Sequence, residues 1–194
     1  MKKWSISFRI WHWLHALVVL GLLGTVLLRK TFLSWRTNSE ILSMKLSTMQ
    51  IDVSAEQAKI LAKAVRAPMW EWHILLGYGL AFLLLVRLIL FLTKSGKQNY
   101  INIRSSSLHK KMVKVSYVGI YAVLGFMAVS GLVIHFYEEL GLLKESAHDL
   151  KEVHELVFNA VWAFLALHIV GVVIADNRDE KGLISDMVNG GENK

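Results

Sequence analysis

Four stretches of this chain are almost free of charge, at residues 10–28, 72–92, 115–137 and 156–175. Each comes close to the roughly 20 apolar residues that an α-helix needs to cross the hydrocarbon core of a bilayer. Composition agrees: 54 % of the 194 residues are hydrophobic and only 19 % charged, whereas about a quarter of a soluble domain is charged. Mean hydropathy is +0.43. A single proline suits long, uninterrupted helices. The expected fold is all-α, an integral membrane four-helix bundle forming one domain over residues 1–194.

The first run follows Met1-Lys2-Lys3, as a signal peptide would. It is longer than a signal h-region, contains His12, His15, Trp11 and Trp13, and is followed by no small-residue cleavage site. It reads as a retained span. Lys2, Lys3 and Arg9 precede or open it without an acid, and Lys94, Lys97, Arg104, Lys110, Lys111 and Lys114 follow the second run, again without one. The third connection is acidic, with Glu138, Glu139, Glu145, Asp149 and Glu152 against Lys144 and Lys151. Positive-inside counting therefore puts both termini in the cytoplasm. The formal charge of +7 is explained by this orientation and calls for no nucleic acid.

The outer connection, residues 29–71, is long for a turn. Ser54-Ala55-Glu56-Gln57 is a capping-box pattern, and a short amphipathic helix is expected over residues 55–66. The polar tail, residues 176–194, carries Leu183, Ile184, Met187 and Val188 at helical spacing, which predicts a surface helix ending near Gly190. Trp4, Trp11, Trp13, Trp70 and Trp72 fall at span ends, where indoles favour the membrane interface. The absence of cysteine excludes disulfides, thiolate iron–sulfur sites, Cys-ligated zinc and covalent c-type haem.

Histidine carries the chemical signal. His154 and His168 are 14 residues apart on the fourth span, which places them on one helix face about 21 Å apart along the axis. His12 opens the first span on the cytoplasmic side, and His73 opens the second on the outer side. His12 and His168 thus come to one half of the membrane and His73 and His154 to the other. Two opposed imidazole pairs suit two bis-histidine haems. None of the four runs contains Asp or Glu, which counts against a metal or proton-coupled transporter. Porphyrin needs no intramembrane carboxylate, but its propionates need cations. Arg87, 14 residues after His73 and five before the end of the second run, is one candidate, and Arg9 is another. Arg87 also suits a snorkelling anchor at the interface. Depth within the apolar runs would match His15 to His168 better than His12.

Arg9-Ile10-Trp11-His12-Trp13-Leu14-His15-Ala16 resembles the His-Trp signature that opens the first helix of bacterial cytochrome b561 and hydrogenase-type cytochrome b subunits. His73, Gly77 and Val86-Arg87-Leu88 resemble the family's second helix. Tyr121 and Gly131 resemble landmarks of its third, and His154-Glu155-Leu156 through Leu167-His168 its fourth. The resemblance implies two non-covalent b haems ligated by His12, His73, His154 and His168, with position in the motif favouring His12 over His15. It also implies a multi-pass protein of the bacterial cytoplasmic (inner) membrane with a quinone or quinol as lipid-side partner. A dehydrogenase, a hydrogenase-like enzyme, a periplasmic cytochrome c or a small oxidant would stand at the other end. Some four-helix relatives oxidise superoxide and reduce quinone. The expected function is therefore transmembrane electron transfer. The alternative is a membrane-anchor subunit that docks a peripheral dehydrogenase or hydrogenase.

Overall fold

The computed structural model describes residues 4–92, 108–178 and 180–190, with the side chains of residues 90–92 and 108–114 left outside that description. Lys2, Lys3, Lys94, Lys97 and Arg104 lie outside the described residues, as do the side chains of His109, Lys110, Lys111 and Lys114. Six helices follow in order: α1 (Ile6–Lys30), α2 (Trp35–Thr48), α3 (Ala55–Leu92), α4 (Leu108–His135), α5 (Lys144–Arg178) and α6 (Leu183–Val188). No strand occurs among the described residues. α1, α3, α4 and α5 are long and apolar enough to cross a membrane, the complement expected of a membrane four-helix bundle. Large apolar side chains stay exposed along all four, including Leu17, Phe82, Val118 and Leu167. Lipid-facing surfaces have that character.

The helices outrun their apolar stretches for local reasons. α1 begins four residues early, where the Ser5 hydroxyl accepts the Phe8 N–H at 3.3 Å, and ends on Arg29 and Lys30, which complement the negative end of its dipole. The capping box forms at α3: Ser54 N–H donates to Gln57 Oε1 at 2.8 Å and Gln57 N–H to Ser54 Oγ at 3.2 Å. α5 starts within the acidic connection, with Glu145 in its first turn and Lys151 paired to Glu155 at 3.1 Å. That connection is thus helical over much of its length.

The connection over residues 29–71 differs from expectation in continuity. Residues 55–66 are helical, but they run on through Pro68 into the span as one 38-residue helix. Ala58, Ala62 and Met69 are buried along it, while Ile60, Leu61 and Val65 are exposed. A further 14-residue helix, α2, precedes it. Its sequence alternates polar and apolar residues too irregularly to announce a helix, and none of its residues is buried.

Contacts group into two units, residues 16–79 and residues 1–15 with 80–194. Within the first, α1 and α3 run antiparallel in a regular ladder. A Cβ at Gly79 would lie 3.7 Å from Val18, and one at Gly21 would lie 2.9 Å from Leu76 Cδ1. Thr25 then meets His73 at 2.7 Å, and Arg29 lies over the Trp70 ring at 5.7 Å. Steps of three or four residues up α1 match steps of three down α3, as helical periodicity requires. The missing side chain at Gly21 is what lets Leu76 sit against the α1 backbone.

Within the second unit, α4 and α5 are the most extensively packed helices. Ile120, Leu124, Ala128 and Val161 are buried there. Tyr117 faces His168 at one level, with ring centroids 6.3 Å apart, and Ser130 meets His154 at another. The N-terminal turns of α1 reach α3 through the Trp11 indole, which donates to the Leu83 carbonyl at 3.1 Å.

Candidate functional site

The α1 and α5 segments of the second unit bring the His12 and His168 rings next to each other. Their ring centroids are 6.3 Å apart and their planes 54° apart. Two imidazoles on opposite sides of one metal, each bonded at about 2 Å with its ring centre roughly 1 Å further out, place their centroids about 6 Å apart. The observed separation fits that arrangement. Aromatic rings surround the pair: Phe164 stacks on His168 at 5.7 Å and 11°, Tyr117 approaches it edge-on, and Phe8 lies 6.5 Å from His12. Apolar, aromatic walls of this sort suit a porphyrin better than a hydrated ion.

His154 is held one level away on the same helix. Its Nδ1 lies 2.7 Å from Ser130 Oγ, and that hydroxyl donates to its own helix carbonyl at Phe126, 2.6 Å away. A Cβ at Gly131 would stand 3.5 Å from His154 Cε1, so the ring edge approaches a turn that carries no side chain. His73, in the 16–79 unit, repeats the pattern. Its Nδ1 lies 2.7 Å from Thr25 Oγ1, and Thr25 donates to the Leu22 carbonyl at 2.7 Å. The Trp70 ring meets His73 edge-on at 5.6 Å.

The other sequence candidates have different surroundings. His15 stacks on Trp11 at 4.9 Å and 20°, and its buried Nδ1 has no hydrogen-bond partner among the described residues. It is the neighbour of the facing pair, not a member. The Arg87 guanidinium lies over the Phe8 and Trp11 rings at 5.5 and 5.4 Å, a double cation–π contact beside His12. Arg9 points to the C-terminal tail: its Nη1 donates to the Val188 carbonyl at 3.4 Å, and its guanidinium lies 2.9–3.1 Å from where a Cβ at Gly190 would stand. Trp13 donates to Met187 beside it, at 3.2 Å. His135 is exposed against Phe136, and His148 is exposed 3.8 Å from Glu152.

Among the described residues, no three His, Cys, Asp or Glu side chains are placed to hold a metal ion together. Haem iron asks for only two imidazoles, because the porphyrin fills its other positions, so a donor set of paired histidines fits that group. Thr25 and Ser130 are the site residues that sequence reasoning missed. A lone hydroxyl inside an apolar run reads as neutral filler, and only its match in depth to a histidine on the next helix would have singled it out.

Comparison with protein families matches residues 3–190 to a family described as prokaryotic cytochrome b561. Comparisons with curated proteins and with solved structures returned no match.

Proposed function

The chain belongs to the prokaryotic cytochrome b561 family, and from that premise we propose a di-haem cytochrome that carries electrons across the cytoplasmic membrane between a quinone or quinol and a redox partner. Membership makes it a multi-pass membrane cytochrome of electron transfer with b-type haem. The finer reading assigns His12 and His168 to a haem on the cytoplasmic side, with both termini in the cytoplasm, and His73 and His154 to a haem on the outer side. The observation that carries it is the opposed His12–His168 pair at 6.3 Å within an aromatic wall. The 14-residue spacing of His154 and His168 supports a second level on the same helix face.

When bound, haem b supplies a one-electron iron couple. The residues supply ligation, orientation and a dry, apolar surround. Neutral imidazoles provide the lone pairs, and Phe164, Tyr117 and Phe8 exclude water from the His12–His168 level. Arg87 contributes a fixed positive charge beside that level. A dehydrogenase, a hydrogenase-like enzyme or a periplasmic cytochrome c is the redox partner this reading anticipates, and superoxide oxidation is an activity to assay with it. The test is stoichiometric. Pyridine-haemochrome analysis of purified protein should give two non-covalent haems per chain, and a ratio of one or a colourless protein would overturn the two-pair reading.

A further inference from the structure

Thr25 and Ser130 stand in the same relation to two different histidines. Each hydroxyl has two close polar neighbours, a main-chain carbonyl of its own helix and an imidazole Nδ1 of the adjacent one. For Thr25 these are the Leu22 carbonyl at 2.7 Å and His73 at 2.7 Å. For Ser130 they are the Phe126 carbonyl at 2.6 Å, with Met127 at 3.3 Å, and His154 at 2.7 Å. A hydroxyl has one hydrogen to give, and a carbonyl oxygen can only accept. At 2.6–2.7 Å the carbonyl contact requires that hydrogen, since two bare oxygens would repel. The second contact must then be supplied by the ring, with Nδ1–H donating to the hydroxyl oxygen. In a neutral imidazole with its hydrogen on Nδ1, the lone pair is on Nε2.

We propose that Thr25 and Ser130 are positioning residues that lock the His73 and His154 imidazoles in the Nδ1–H tautomer, so that each offers Nε2 to iron. The proposal rests on the reading above that His73 and His154 are haem ligands. The hydroxyls cannot easily turn away, because both sit in apolar helix interiors and are themselves buried, Ser130 to 2 % and Thr25 to 7 % exposure. Their anchoring to the carbonyls also fixes the ring plane, and at His154 the bare Gly131 turn completes the seat. A ligating histidine whose other nitrogen donates a hydrogen bond is a more basic ligand, which favours the ferric state. His12 and His168 are flanked by aromatic rings instead, so among the described residues the device belongs to His73 and His154.

The experiment compares Thr25→Val and Ser130→Ala with the conservative Thr25→Ser and Ser130→Thr in the haem-loaded protein, reading haem content, the two midpoint potentials and the low-spin ferric EPR signals. Thr25→Val and Ser130→Ala should shift the same one of the two potentials upward and alter only that haem's EPR signal, or release that haem. Thr25→Ser and Ser130→Thr should keep the wild-type potential and signal. Unchanged potentials and EPR in the valine and alanine variants, or equal damage in all four, would overturn the proposal. His73→Ala and His154→Ala, run alongside, separate the two levels of inference. If they remove a haem while Thr25→Val and Ser130→Ala change nothing, ligation stands and the tautomer lock alone is overturned. If they leave both haems in place, ligation by these histidines fails and the lock fails with it.

Discussion

The Trp11 indole donates its N–H to the main-chain carbonyl of Leu83 at 3.1 Å. That bond sets the level at which the first turns of α1 meet the C-terminal half of α3. It also holds the Trp11 ring under the Arg87 guanidinium and beside the His15 imidazole. The positions of a cation and of a half-buried histidine thus depend on one indole.

Trp11→Phe should therefore lower stability without abolishing the fold. It removes a net hydrogen bond worth about 1 kcal/mol and leaves a small void, so roughly 1–3 kcal/mol in total is expected. Thermal unfolding in detergent, followed by loss of helical circular dichroism, should show a midpoint lower by several degrees.

The facing pair predicts a grouping of phenotypes. His12→Ala and His168→Ala should remove or convert to high spin the same haem, because their rings oppose each other at 6.3 Å. His15→Ala should keep two low-spin haems, since His15 lies against Trp11. Visible spectra and pyridine-haemochrome ratios of the three variants check this. A His15→Ala variant that matches His168→Ala would move the ligand assignment from His12 to His15.

Arg87 is a charge as well as a packing group. Arg87→Gln removes a positive charge beside the His12–His168 level, which favours the ferric state there. One of the two midpoint potentials should fall, by on the order of tens of millivolts, and Arg87→Lys should restore most of it. A redox titration with neither potential displaced would reduce Arg87 to a cation–π contact with Phe8 and Trp11.

The tail gives a prediction independent of haem. Gly190 has φ +88°, and a Cβ there would lie 2.9 Å from Arg9 Nη1 and 3.1 Å from its Cζ. Gly190→Ala adds about 1–2 kcal/mol of left-handed strain and makes the Arg9 guanidinium give way. It should loosen α6 from the start of α1 while haem content stays unchanged. Hydrogen exchange over residues 183–190 should quicken.

The four spans were legible because three runs of about 20 uncharged residues, and a fourth interrupted only by Arg87, leave a chain few alternatives. The Ser54–Gln57 capping box was legible too, since its signature is local and its two bonds form as expected. α2 was not, because its helix has no buried face to impose a period on the sequence. The union of residues 55–66 with the second span was missed for a different reason. Glu71 and the charges before it end the apolar run, but Lys, Arg, Ala and Glu are all good helix formers, so the helix persists where the hydropathy does not. The 14-residue spacing on α5 did point to two levels, and Tyr117 and Ser130 on α4 mark them 13 residues apart. What spacing could not supply was the environment of each ring, aromatic around His168 and hydroxyl-braced at His154.

The single proline of the chain lies between two stretches of α3 that are tied down differently. Pro68 has no N–H to give the Ala64 carbonyl, so the helix loses a strut there and bends more easily than elsewhere. On its C-terminal side, Trp70, His73, Leu76 and Gly79 are laddered to α1. On its N-terminal side, Lys59 reaches over the Trp35 ring at 5.7 Å, tying α3 to α2 instead. Mechanically, α3 is two rods joined at a compliant collar. A sideways load on the N-terminal rod would be absorbed near residues 64–68, leaving the His73 imidazole registered against Thr25.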